Sequence, residues 1–275
     1  MPARGGYMAS VLTDAALLQQ WPHDEGLLEE VHRRTGDTIT LGFSRGKDSI
    51  AAWIALKESG LFKRIIPIHL YLVPGLSFEE DSIKYFEDVF QTKIYQIPHP
   101  SFYRYMANNT FAPPGRLWAN YDFFYDMQCS YEEQNEWFKE TVGIPKKTLQ
   151  ANGVRAMDTM VRRMGLHKHG PFSKDNVKII WNWSTKRVLQ TIQNHKIKLP
   201  VDYEMFGRSF DGIGYQYMKP IRDRFPEDYK KCLQWFPLIE AEMFRFEQME
   251  ECSDDFIIKK GRVFVNYEKF KNKTR

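Results

Sequence analysis

Thr38-Ile39-Thr40-Leu41-Gly42-Phe43-Ser44-Arg45-Gly46-Lys47-Asp48-Ser49 decides how the rest of the chain is read. Its first half is short and β-rich, bounded in front by Gly36-Asp37, and predicts a strand. From Asp48 to Ser59 the pattern turns helical: Ile50 and Ile54, with Ala51 and Ala55, recur at four-residue spacing, and Gly60 closes the segment. Residues 44–49 therefore join a strand end to a helix start. Such a joint aims backbone N–H groups and the positive end of a helix at one point, which favours a phosphate. Gly46 lets the chain approach an anion closely. The hydroxyls of Ser44 and Ser49 can donate to phosphate oxygens, and Lys47 adds charge. On composition alone, a Gly-Ser-Lys loop is as readily a plain turn.

Outward from this loop the alternation continues. Ile65–Val73 is a near-continuous apolar run, as expected of a strand buried on both faces, and Pro74-Gly75 ends it. Ser77 is a candidate cap for a helix from Phe78 to Phe90, and Lys93–Ile97 is a third strand. This β-α-β-α-β order argues for right-handed crossovers and a doubly wound, mostly parallel sheet flanked by helices. Residues 98–150, with Pro113-Pro114-Gly115, read as an insertion with a polar helix near Tyr131–Glu140. A strand at Ala151–Arg155, a helix at Asp158–Met164, a strand at Val177–Trp183 and a Ser184-Thr185-capped helix to about His195 resume the pattern. The expected division is a helical segment 1–35 (from Thr13, interrupted near Trp21-Pro22), an α/β nucleotide-binding domain 36–220, and a helical extension 221–275. In that extension Pro226 opens one helix, Pro237 separates it from the next, and a hairpin turns near Lys260-Gly261.

Bulk properties exclude more than they assign. With 43% hydrophobic and 27% charged residues the chain is globular rather than disordered. No apolar run reaches the length of a transmembrane helix and the N-terminus lacks a signal-peptide core, so a cytoplasmic protein without membrane contact is expected. Cys129, Cys232 and Cys252 are far apart and suggest neither zinc nor a disulfide framework. His167-Lys168-His169 lacks a third ligand and reads as a surface loop. A net charge of +4 suits a polyphosphate ligand without demanding nucleic acid. From Lys259 to Arg275 seven basic residues stand against one acidic, a solvated tail or a nucleic-acid contact. The aromatic content of 15% reads as packing under long loops, with stacking on a base or sugar as the sharper alternative.

The loop fails the Walker pattern, since Leu41 stands where Gly is needed and Asp48 where Ser or Thr is needed. It resembles the PP-loop pattern SGGxDS at every position except the second, where Arg45 replaces Gly. Later segments are similar to the phosphoadenosine phosphosulfate (PAPS) reductase-like branch of that superfamily. Gly153-Val154-Arg155-Ala156-Met157-Asp158-Thr159-Met160-Val161-Arg162 resembles G-[IV]-R-x-x-E-S-x-x-R, with Asp158 for Glu and Thr159 for Ser. Ile180-Trp181-Asn182-Trp183-Ser184 resembles the branch's W-S stretch. The resemblance spans roughly residues 36–210. It implies an adenine nucleotide alpha-hydrolase-like fold that cleaves ATP between the α and β phosphates. It further implies phosphate contacts from Ser44, Arg45, Gly46, Lys47, Asp48 and Ser49, with Arg45 reaching a phosphate or acceptor, or else solvent. Mg²⁺ would lie on Asp48, adenine against Leu70, Tyr71 and Leu72, and nucleotide or acceptor contacts on Gly153, Arg155, Asp158, Arg162 and Arg208. For Arg155 and Arg162 the plainer reading is ion pairing with Asp158; for Arg208, in Gly207–Gly212, a glycine-rich turn.

Departures from the family matter as well. The reductases' E-C-G-x-H is met only by Glu251-Cys252-Ser253-Asp254-Asp255, and Tyr215 and Tyr217 stand in a region where relatives carry cysteines. Lys47 points instead to the S-G-G-K-D-S members, which adenylate an acceptor and release pyrophosphate. The catalytic set expected is Lys47, Asp48, Arg155 and Arg162. The acceptor stays open between sulfate, a nucleic-acid base and a small metabolite, and a homodimer is left open too. Two competing readings are a divergent sulfonucleotide reductase relative using Cys252, and a catalytically idle nucleotide-binding regulator that touches nucleic acid.

Overall fold

The computed structural model describes residues 24–116, 122–127, 129–251, 256–259 and 262–265. The leader, the helix expected from Thr13 before Asp24, Cys252 and the basic end beyond Val265 lie outside the described residues. In chain order the elements begin α1 (Asp24–Thr35), β1 (Thr38–Gly42), α2 (Lys47–Glu58), β2 (Arg64–Tyr71), α3 (Ser77–Phe90), β3 (Tyr95–Pro98), α4 (Pro100–Ala107) and α5 (Tyr131–Val142). They continue with β4 (Gln150–Asn152), α6 (Met160–His169), β5 (Asn176–Lys178), α7 (Thr185–Asn194), α8 (Asp202–Phe206), α9 (Tyr215–Arg224), α10 (Pro226–Trp235), α11 (Ile239–Glu251), β6 (Phe256–Lys259) and β7 (Arg262–Val265).

The main sheet has five strands in the order β3-β2-β1-β4-β5. The registered pairs are parallel: Thr40 opposite Gln150, Leu70 opposite Ile97, and Ala151 opposite Val177. Strand order reverses at β1, so the crossovers through α2 and α3 build one wing of the sheet and β4 and β5 the other. This is the doubly wound α/β arrangement that the alternating pattern anticipated, and the carboxyl end at such a reversal is where these sheets hold ligands. The residues 43–46 leave β1 at that end. β6 and β7 pair antiparallel, as the hairpin expected near Lys260-Gly261 requires.

The chain divides into two compact units. One takes the chain up to Gly42, Lys47–Pro67 and Pro145–Ile197; the other takes Phe43–Gly46, Ile68–Ile144 and the chain from Lys198. This division crosses the sequential segmentation at 35 and 220. In the first unit, every residue of α2 from Ser49 to Leu56 is buried, so the helix is a core element rather than an amphipathic cover. Ile39, Leu41, Ala151, Val177, Val188 and Ile192 complete that core. In the second, Leu72, Val73, Leu76, Phe78, Phe102, Phe210, Tyr217 and Phe236 belong to one cluster rich in aromatics, so packing accounts for these rings.

Four local expectations are corrected. The run Val177–Trp183 is a strand only over Asn176–Lys178; beyond it the chain closes i→i+3 turns, with Trp181 N–H donating to Lys178 O at 3.3 Å and Trp183 N–H to Ile180 O at 3.0 Å. Turns bury Ile179, Ile180 and Trp181 as fully as a strand would, so the apolar run misleads. Pro220 lies inside α9 rather than before the C-terminal helices. Ser77 does not cap α3; its Oγ donates to Asp228 Oδ2 at 2.7 Å. The helix expected from Asp158 starts instead at Met160, because the Thr159 side chain accepts the Arg162 N–H as N-cap. The resulting α6 buries only Leu166 and leaves Met160, Val161 and Met164 open along its side, with Met157 also exposed just before it.

Candidate active site

Two polar clusters, one in each unit, hold most of the residues that the sequence singled out. In the first unit Lys47 and Asp48 form the opening turn of α2, half-buried, with Lys47 Nζ 2.7 Å from Asp48 Oδ2. Ser49 is buried behind them. Gly153 approaches this turn so closely that a Cβ there would lie 2.6 Å from the carbonyl carbon and oxygen of Asp48 and 3.0 Å from Ser49 N. No side chain fits at that distance, which explains the glycine by contact rather than by backbone angle.

Arg155 is buried and tied down on several sides. Its Nη1 donates to Trp183 O and Thr185 Oγ1, both at 3.2 Å, and its Nη2 lies 2.7 Å from Asp158 Oδ1. Its Nε lies 2.8 Å from Asp48 Oδ1, an ion pair in which neither atom gains a properly directed hydrogen bond. Asp158 also accepts from Arg155 N–H at 3.2 Å and from Arg162 Nη1 at 2.7 Å. For both arginines the ion pairing with Asp158 is therefore present. Arg155 is fixed beside the first turn of α2, whereas Arg162 is exposed on α6.

In the second unit Ser44 is exposed and Gly46 buried, its Cα facing the hydroxyls of Ser44, Ser209 and Tyr203. Arg45 is the largest departure from expectation. Its side chain reaches neither solvent nor an open site, but is fully buried between two carboxylates. Nη1 donates to Asp202 Oδ1 at 3.1 Å, Nη2 lies 3.0 Å from Asp202 Oδ2, and Nη2 also pairs with Glu79. Its backbone is left-handed, φ 61°. Glycine adopts such a backbone freely, whereas a residue with a side chain rarely does. A ligand contact from Arg45 is thereby confined to its backbone.

The buried partners were not legible beforehand. Burial alone would raise the Glu79 carboxyl, but Arg45 and His69 outweigh it and hold the group below the ordinary range. His69 Nδ1 meets Phe43 O at 3.1 Å, so that nitrogen carries the proton, while its Nε2 lies 3.6 Å from Glu79 Oε1. An acid in the first turn after a strand is a weak signal for Glu79, and nothing marks Asp202.

Leu70, Tyr71 and Leu72 stand at the carboxyl end of β2, Leu72 buried and the other two partly so. Tyr71 O accepts the His99 N–H at 2.8 Å. His99, also unanticipated, accepts the Ser101 N–H on Nδ1 at 2.9 Å, which leaves Nε2 to meet Tyr131 Oη at 2.9 Å. Burial, then Arg104 and His69, lower its pKa, so it stays neutral. Arg208 is exposed and pairs with Asp211, the turn reading of Gly207–Gly212. Of the thiols described, Cys129 is pushed up by burial and by Glu133, and Cys232 is pushed up to about 12, chiefly by burial. Neither is poised as a nucleophile. Among the described residues no group of three or more His, Cys, Asp or Glu could hold a metal ion, and none of the helices is long and apolar enough to cross a membrane.

No family model matches the chain, and no curated protein does. Among solved structures, the NH3-dependent NAD synthetase from Campylobacter jejuni subsp. jejuni NCTC 11168, in complex with the nitrate ion, is similar with a TM-score of 0.41 and 10% identity, over 85% of this chain and 95% of that one. A phosphoadenylyl-sulfate (PAPS) reductase from Candida auris, in complex with phosphate, is similar with a TM-score of 0.44 and 12% identity, over 73% of this chain and 95% of that one.

Proposed function

We propose that the chain is a PP-loop enzyme that binds ATP and transfers its adenylyl group to an acceptor oxygen. The observation that carries this reading is the setting of Lys47 and Asp48. They open a buried helix at the carboxyl end of β1, Gly153 crowds their backbone, and Arg155 is locked beside them. The helix start and Lys47 favour the β and γ phosphates. Arg155, held by Trp183, Thr185 and Asp158, is a fixed positive charge that needs no rearrangement as charge develops on the leaving group.

Asp48 could hold a Mg²⁺ ion as its single protein carboxylate: its Oδ1 meets only the Arg155 Nε, at 2.8 Å and without a directed hydrogen bond, and Mg²⁺ is commonly held by one or two carboxylates plus substrate phosphates. The ion would supply charge neutralisation along the triphosphate. Lys47, paired with Asp48 in the free protein, would exchange that partner for a phosphate oxygen. In the reaction the acceptor oxygen bonds to the α-phosphorus, and the bond from that phosphorus to the α–β bridging oxygen breaks. Pyrophosphate leaves with the electron pair, and the acceptor's proton passes to water. The protein's part is positioning and electrostatics.

The test is product analysis of α-labelled ATP with Mg²⁺ and an extract of small molecules and RNA. Labelled AMP or an AMP adduct, with pyrophosphate, is expected from the wild type and absent from Asp48→Ala. Nucleotide binding without any α/β cleavage across the extract would sink the reading and favour the sulfonucleotide reductase relative or the idle regulator.

A further inference from the structure

Arg45 occupies a loop position whose left-handed backbone glycine adopts freely and a side-chain residue adopts only when its surroundings enforce it. The enforcement is visible. The planar guanidinium takes Asp202 with both Nη atoms, at 3.1 and 3.0 Å, and takes Glu79 with Nη2. Each carboxylate is itself anchored: Asp202 Oδ2 accepts the Phe210 N–H at 2.9 Å, and Glu79 sits in the first turn of α3. His69, 3.6 Å from Glu79, is bonded to Phe43 O, so the residue that enters the loop is tied to the same cluster. Withdrawing the guanidinium would strand two buried carboxylates.

We propose that Arg45 is a positioning residue: clamped by Glu79 and Asp202, its side chain fixes the left-handed turn of the loop that a glycine would leave free to fluctuate. The inference rests on the phosphate-loop reading above, since it is that loop's amides which are held in a preformed arrangement. A preformed loop loses less conformational freedom when it takes up an anion. In this account the arginine is no sign of a disabled site; it replaces conformational permissiveness with rigidity.

The experiment compares the wild type with the triple variant Arg45→Gly/Glu79→Gln/Asp202→Asn, which removes the clamp without stranding charge and gives the turn its preferred residue. Hydrogen exchange is followed on the nucleotide-free full chain. Exchange across residues 44–46 should quicken about tenfold while β1 and α2 stay protected. Wild-type exchange in the triple variant would overturn the proposal. In a second arm, KM for ATP should rise about tenfold with kcat retained, because ordering is now required on binding. A wild type that binds no adenine nucleotide defeats the functional reading, while the exchange arm still decides the clamp. Should the triple variant unfold, Arg45→Lys decides alone: it keeps the charge but loses the fork, and unchanged exchange there would also overturn the proposal.

Discussion

Two arginines in this chain each stand between two carboxylates, and their settings differ. The side chains of Arg45, Glu79 and Asp202 are 0%, 5% and 0% exposed. Arg155 is as well covered at 3%, yet its partners Asp48 and Asp158 are 26% and 15% exposed. Chemistry of the same kind thus serves different ends. A sealed triad cannot change partners without leaving an unpaired charge in a medium of low polarity. A triad open on its carboxylate side can, because water or an incoming phosphate takes up what is released. The sealed cluster belongs to the architecture of the loop, and the open one is where exchange of partners is affordable and where we place the chemistry.

The comparison breaks most directly with Arg45→Met. Two buried carboxylates would remain, and a loss of about 3–5 kcal/mol is expected in urea unfolding. Arg155→Met should cost less, about 1–3 kcal/mol, as Asp48 and Asp158 can rehydrate; the reverse order would erase the distinction. Gly153→Ala comes next. Its methyl group has no room against the Asp48 backbone, so about 1–3 kcal/mol of destabilisation is expected from a thermal melt. A melt unchanged from the wild type would mean that α2 yields easily.

Acid sharpens the contrast further. Glu79 titrates below its ordinary value of 4.5 in the folded protein. Its contribution is therefore fully present above that pH and is lost as pH falls through the lowered value. Glu79→Gln should flatten the acid limb of a stability profile taken from pH 7 to about pH 3; an identical limb in both proteins would remove Glu79 from the account. The smallest effect belongs to Arg162→Ala. Its ion pair with Asp158 is half exposed, and about 0.3–0.5 kcal/mol is expected by double-mutant cycle.

Much of the architecture was legible because it is written in periodicity. The four-residue repeat of Ile50 and Ile54 gave a helix, the apolar run through Ile65–Val73 gave an inner strand, and their alternation gave a parallel sheet. The same logic failed at Ile179-Ile180-Trp181, where burial comes from turns. Of the candidate site, the two motif segments are found in contact: Lys47 pairs with Asp48, and Arg155 lies beside Asp48. The Arg45 clamp was not legible, since its partners lie 34 and 157 residues away and carry no local mark. A substitution that looked like damage to a motif could be read as a brace only with those partners in view.

The open face of α6 has a chemical consequence of its own. Met157, Met160 and Met164 are 54%, 76% and 65% exposed, whereas Met106, Met218 and Met243 are nearly sealed. Among the described residues, peroxide would reach the thioethers on and just before that helix sooner than the buried ones and turn them into sulfoxides, making an apolar strip polar. Mass spectrometry of the peptides around them would then read out the oxidant history of the sample, with the buried methionines as its internal standard.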